Sequence, residues 1–122
     1  MDIIKQIFIP GVILLVLDGI FLTANSHMFQ LQIAEVQRVS LQMKPAGAVI
    51  CYILLIFGLY YFIIREHRPV TDAIILGVVT YGVFESTNYA LLKRWHWKTM
   101  LIDTTWGGVL LGLTTFLTYR LT

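Results

Sequence analysis

Long apolar stretches alternate with short polar connections along this chain. Residues 3–24, 45–64, 70–92 and 99–121 are almost continuously apolar. Each stretch is close to the roughly 20 residues that an α-helix needs to cross the hydrocarbon core of a bilayer. Backbone N–H and C=O groups without a hydrogen-bond partner are too costly in lipid, so only helices and closed barrels span a membrane. These apolar runs are too continuous for barrel strands. The pattern therefore predicts an all-α, four-helix transmembrane bundle with both termini on one side.

A less apolar segment, residues 25–44, separates the first two stretches. Phe29, Ile33 and Val36 recur at helical spacing, with polar residues such as Gln32 on the other side. This periodicity predicts an amphipathic helix that lies on the membrane surface or protrudes from the first span. A simple tether between the spans is the preferred interpretation over a partner-binding helix.

Composition supports a single transmembrane domain over residues 1–122. Hydrophobic residues make up 57% of the chain and charged residues only 13%, whereas soluble domains carry about 25% charged residues. We therefore expect a multi-pass integral membrane protein whose partners are membrane lipids. The net charge of +2 is too small to indicate nucleic acid. The single cysteine excludes an internal disulfide, and the apolar surroundings of Cys51 predict a packed thiol.

Polar side chains interrupt every one of the four apolar stretches. With a rise of about 1.5 Å per residue, these groups lie roughly 5 to 10 Å from the membrane midplane, towards the turn at residues 93–98. Ionisable residues at such depth are costly and commonly mark functional sites. The sequence therefore predicts a polar or transport site formed by Asp18, Tyr52, Tyr81, Glu85, Asn88, Asp103 and Trp106.

Helix geometry predicts which members of this site meet. Glu85 and Asn88 are three residues apart and share one helix face. The helices carrying Glu85 and Asp103 are joined by a short turn, so they are expected to pack as antiparallel neighbours with the two acids close together. A carboxylate in hydrocarbon needs a partner, a proton or water. The cations of the 93–98 turn are near enough along the chain to reach inward.

Other residues near the spans favour structural roles. Trp95 and Trp97 are expected in the interfacial aromatic belt. Gly108 and Gly112 form a GxxxG pair, which predicts close helix packing and a homo-oligomer formed through these glycines. The histidines lack metal-ligand spacing, and no catalytic or cofactor motif is present. We accordingly expect no metal, no cofactor and no catalytic residue, which leans against an enzyme.

Three motifs resemble a family of small four-helix membrane proteins, domain of unknown function 2177. The first is Leu17-Asp18-Gly19-Ile20-Phe21-Leu22; the second comprises Gly77, Tyr81, Phe84, Glu85, Thr87, Asn88 and Ala90; the third comprises Asp103, Trp106 and Gly107. The chain departs from the family pattern at Glu85, where an aspartate is expected, and in lacking a glycine after the first helix. The resemblance implies a membrane protein, and it carries no established activity.

Three functions remain open at this point. The first is permeation or transport of a proton, an ion or a small solute through the polar site. The second is a structural or assembly subunit of a membrane, in which polar groups hold helices together. The third is an enzyme or binding protein for a lipid headgroup or isoprenoid, with two acids as general acid and base. The short chain favours the first two functions over the third.

Overall fold

The computed structural model describes residues 2–37 and 45–122, and every regular element within them is a helix. The elements are α1 (Ile3–Ala24), α2 (Ser26–Gln37), α3 (Pro45–Leu59) continued by a π-helical turn (Tyr60–Ile64), α4 (Val70–Leu91) and α5 (Trp97–Leu121). Four of these helices, α1, α3 with its π-helical turn, α4 and α5, are long and apolar enough to cross a membrane. The predicted all-α bundle with four spans is confirmed.

Helix α2 is a hydrogen-bonded continuation of α1. The Asn25 amide donates to the Phe21 carbonyl at 3.0 Å, and the Phe29 amide donates to the Asn25 carbonyl at 3.2 Å. The helical pattern therefore continues past the one turn residue between the two elements. The helix predicted within residues 25–44 is thus confirmed up to Gln37, and the remainder of that segment lies outside the described residues.

Helix α5 occupies the centre of the bundle. It packs against α4 along much of its length and also against α1, while α3 packs against α1. At the end where the chain terminates, the Tyr119 hydroxyl donates to the Arg68 carbonyl at 2.6 Å, which ties α5 to the turn between α3 and α4. The buried apolar core comprises Leu14, Leu59, Ile63, Ile64, Ala73, Leu110 and Leu111.

Helices α4 and α5 approach each other at paired glycines. A Cβ atom added at Gly77 would lie only 2.0 Å from the carbonyl oxygen of Gly107. In lipid, apolar side chains gain little by leaving a hydrocarbon solvent, so helices associate through close packing of small residues. Gly77 and Gly107 permit this backbone contact, and no larger residue fits at Gly77 without separating the helices.

Gly108 and Gly112 extend the same contact within one chain. Both glycines are buried, and added Cβ atoms would lie 2.7 and 2.5 Å from side chains of α4. The predicted close packing is therefore present, but α4 of the same chain is the partner. The expectation that a homo-oligomer forms through these two glycines stays a prediction.

The predicted packing of the lone cysteine is wrong. Cys51 is exposed on α3, whereas the neighbouring Tyr52 packs against the core together with Leu55 and Ile56. These three side chains share one helix face. An all-apolar stretch does not distinguish the core-facing side of a helix from its outward side, which explains the error.

Candidate functional site

Asp18 of α1 links three helices through two hydrogen bonds. Its side chain is buried, with 6% of its surface exposed. The Tyr52 hydroxyl of α3 donates to one carboxylate oxygen, and the Trp106 indole of α5 donates to the other at 2.9 Å. The Trp106 ring is itself stacked on Phe21, with ring centres 4.5 Å apart. Asp18 therefore receives two neutral donors, each from a different helix.

Glu85 of α4 and Asp103 of α5 form a second acidic contact. Glu85 is 1% exposed and Asp103 is 9% exposed, and their carboxyl groups lie within hydrogen-bonding reach of each other. An ionised carboxylate only accepts hydrogen bonds, so a hydrogen bond between the two groups needs a proton on one of them. The predicted proximity of Glu85 and Asp103 is confirmed, and the contact between them is direct.

Trp95 completes the surroundings of Glu85. Its indole nitrogen donates to Oε1 of Glu85 at 2.9 Å. The sequence placed Trp95 in the interfacial belt with Trp97; the structure instead turns Trp95 inward, while Trp97 is 54% exposed. A buried indole N–H needs an acceptor. Glu85, an acid ten residues earlier in the same helical hairpin, was the feature of the sequence that could have predicted this contact.

The two acidic contacts form one cluster. Asp18 is near enough to Asp103 and Tyr81 to interact electrostatically with both, and the Tyr81 ring packs directly over Gly107. All four membrane-spanning helices contribute a side chain, as the sequence predicted. We call the following set the acid cluster: Asp18, Tyr52, Tyr81, Glu85, Trp95, Asp103 and Trp106.

The cations expected to reach Glu85 from the 93–98 turn do not pair with it. Among the described side chains, Arg65 pairs with Glu66 at 3.6 Å and Arg68 pairs with Asp72 at 2.7 Å. Both pairs lie at the opposite end of the bundle. The expected cationic partner is therefore replaced by a neutral indole and a second carboxyl group.

Asn88 lies at the margin of the acid cluster. It is half-buried, and its side chain forms no hydrogen bond with Glu85 in the part of the chain that the structure describes. Its carbonyl oxygen accepts from the Leu92 amide at 2.8 Å, which closes the end of α4. The shared helix face was predicted correctly, but Trp95 is the group that contacts Glu85.

Gln32 of α2 forms hydrogen bonds with the turn between α4 and α5 that were not predicted from the sequence. It was assigned to the polar, outward side of the helix, yet it is 2% exposed. Its amide nitrogen donates to the Arg94 carbonyl at 2.6 Å, and its oxygen accepts from the His96 amide at 2.8 Å and the Thr99 hydroxyl at 3.1 Å. The turn between α4 and α5 has backbone groups that need partners, and Gln32 supplies them.

The donor set at the cluster is suited to protons. Within residues 2–37 and 45–122, no group of three or more His, Cys, Asp or Glu side chains is arranged to hold a metal ion. The acids are instead held by hydroxyl and indole donors and by each other. Carboxyl groups in such surroundings can gain and lose protons, and they fix the helices while doing so.

Comparison with known proteins agrees with the architecture. The family described as predicted membrane protein (DUF2177) matches residues 3–120. No curated protein and no solved structure matches the chain. The family match covers nearly the whole sequence, including all four spans and every acid of the cluster. The chain therefore belongs to the membrane protein family of domain of unknown function 2177, as its three motifs had indicated.

Proposed function

We propose that this protein moves protons across its membrane, with Glu85 and Asp103 as the proton-carrying pair. The observation that carries the proposal is the close contact between these two buried carboxyl groups. A hydrogen bond between them needs a proton on one of the two, and the described Lys and Arg side chains do not pair with either acid. Intramembrane carboxyl groups of this kind are used as proton relays in pumps and transporters.

Asp18 has a different role in this proposal. Two neutral donors occupy its oxygens and come from α3 and α5, so Asp18 is suited to holding three helices in register. Asp18 is also near enough to Asp103 to interact with it electrostatically.

The remainder of the bundle favours gated transfer over an open pore. Leu110 and Leu111 are buried about two turns beyond Asp103 along α5. Further along, the hydroxyls of Thr114 and Thr115 are buried and have no hydrogen-bond partner among the described residues, and such groups can hold water during a transient opening. An apolar layer therefore separates the acid pair from the far end, and a conformational change must accompany each transfer.

Proton flux into liposomes tests this proposal. Purified protein is reconstituted with a pH-sensitive dye in the lumen, and a potassium diffusion potential drives protons inward. We expect wild-type protein to acidify the lumen faster than empty liposomes, and Glu85→Gln and Asp103→Asn to remove that increase. Both amides can still accept and donate hydrogen bonds at these positions, so the fold is expected to persist.

A matched control separates the pair from acidic residues in general. Glu66→Gln also converts one carboxyl group to an amide, but at an exposed side chain at the opposite end of the bundle. It should retain wild-type flux. Equal flux when sodium is replaced by choline would show that the current is carried by protons. Wild-type flux no greater than that of empty liposomes would refute the proposal and leave the structural function in its place.

A further inference from the structure

The turn between α4 and α5 presents two different faces. Trp95 points inward and donates to Glu85, whereas Lys93, Arg94 and Lys98 are exposed. Gln32 fixes the backbone between them through its hydrogen bond to the Arg94 carbonyl. The cations are therefore presented by a turn whose backbone is anchored from α2.

Two arginines at the far end of the bundle have acidic partners, whereas the three cations of the turn have none among the described side chains. At the far end, Arg65 and Arg68 each have an acidic partner within the chain. At the turn, Lys93, Arg94 and Lys98 have no acidic partner in the part of the chain that the structure describes. This end thus has three exposed positive charges, none of which is paired with a described acidic side chain.

The surroundings of these cations fit a membrane headgroup layer. Trp97 is 54% exposed, and the Lys98 ammonium lies 5.9 Å from the centre of its ring. Exposed tryptophan marks the depth of lipid headgroups, and clustered Lys and Arg next to a span attract anionic lipids. We propose that Lys93, Arg94 and Lys98 form a binding site for the phosphate headgroup of an anionic phospholipid. This inference does not depend on proton transport.

Lipid retention by purified protein tests the site. Protein in a neutral detergent is titrated with phosphatidylglycerol or with zwitterionic phosphatidylcholine, and bound lipid is counted by native mass spectrometry. Each cation near a headgroup contributes about fivefold to binding, so we expect K93Q/R94Q/K98Q to bind phosphatidylglycerol roughly 100-fold more weakly than wild type. The far-end triple variant R65Q/R68Q/R120Q removes the same charge and should keep wild-type retention.

Several outcomes would overturn the proposal. Equal retention of the two lipids by wild-type protein would do so, as would equal losses in the two triple variants, which would indicate a diffuse charge effect. Displacement of phosphatidylglycerol by millimolar inorganic phosphate would show a free-anion site and not a lipid site. If the turn variant unfolds, single variants at Lys93, Arg94 and Lys98 replace it, and each should weaken binding about fivefold.

Discussion

The two halves of this bundle are held together by different interactions, although the same helices run through both. In the half nearest the α4–α5 turn, polar side chains of different helices contact each other. Asp18 accepts hydrogen bonds from Tyr52 and Trp106, and Glu85 contacts Asp103. In the other half, the core is made of aliphatic side chains such as Leu14 and those that pack around it. We call these the acid half and the apolar half.

Polar residues behave differently in the two halves as well. The Thr118 hydroxyl of the apolar half donates to the Thr114 carbonyl within the same helix, at 2.7 Å, and the hydroxyls of Thr114 and Thr115 have no hydrogen-bond partner among the described residues. In this half the Tyr119 hydroxyl connects α5 to the turn between α3 and α4 by donating to a backbone carbonyl. The comparison shows that the hydrogen bonds between side chains of different helices, among the described residues, lie in the acid half, whereas close packing of apolar and small residues predominates elsewhere.

The largest effect is expected at the glycine contact between the halves. Gly77→Ala would place a Cβ atom 2.0 Å from the Gly107 carbonyl oxygen, a backbone atom that cannot rotate away. We expect a loss of stability at or above the usual ~1–3 kcal/mol of overpacking, measured by thermal unfolding in detergent. Gly58→Ala is the control, because nothing lies within 4 Å of its added Cβ atom. Equal melting temperatures for the two variants would contradict the close contact.

The next largest effect concerns the link between three helices. Asp18→Leu removes the acceptor of both the Tyr52 hydroxyl and the Trp106 indole. A fully buried stranded donor costs about 1–3 kcal/mol, but Tyr52 and Trp106 are only half-buried. We therefore expect thermal and denaturant stability to fall clearly, though less than in Gly77→Ala. Asp18→Asn keeps one acceptor oxygen and should lose less. A leucine variant as stable as wild type would show that the acid half does not depend on this link.

A smaller effect is expected where α2 meets the turn. Gln32→Leu removes the partner of the Arg94 carbonyl and of the Thr99 hydroxyl, and it should cost about 1–3 kcal/mol. Gln30→Leu makes the same chemical change on an exposed position of the same helix and should leave the melting temperature unchanged. If both variants melt at the same temperature, α2 is only a tether, as the sequence alone had suggested.

The smallest change in stability is expected at the proposed proton pair. Gln at position 85 can still accept from Trp95 and donate to Asp103, so Glu85→Gln should alter stability by less than about 1 kcal/mol. This sets Glu85 apart from Asp18, whose proposed role is structural. Thermal unfolding compared with wild type checks the expectation. A large loss of stability would show that Glu85, like Asp18, has a structural role.

Much of this arrangement was readable from the sequence because the bilayer imposes strong constraints. Apolar length fixed the four spans, and helical rise placed the acids in one half. Direct contacts between distant residues were less accessible. Trp95 was misplaced because a short turn gives no periodicity that indicates whether a residue faces inward. Gln32 was misplaced because the polar side of α2 packs against the turn between α4 and α5, a contact that periodicity within α2 does not show. Cys51 was misplaced because the hydrophobic stretch around it has no pattern that separates the core-facing side of α3 from its outward side.

Infrared difference spectroscopy tests the shared proton between Glu85 and Asp103 most directly. A protonated carboxyl group has a carbonyl band that is separate from those of carboxylates and shifts on deuteration. We expect this band in wild-type protein and in Glu66→Gln, and we expect it to be weaker in the double variant E85Q/D103N. An identical band in the double variant, or no such band in wild-type protein, would contradict the shared proton and with it the proposed proton-carrying pair.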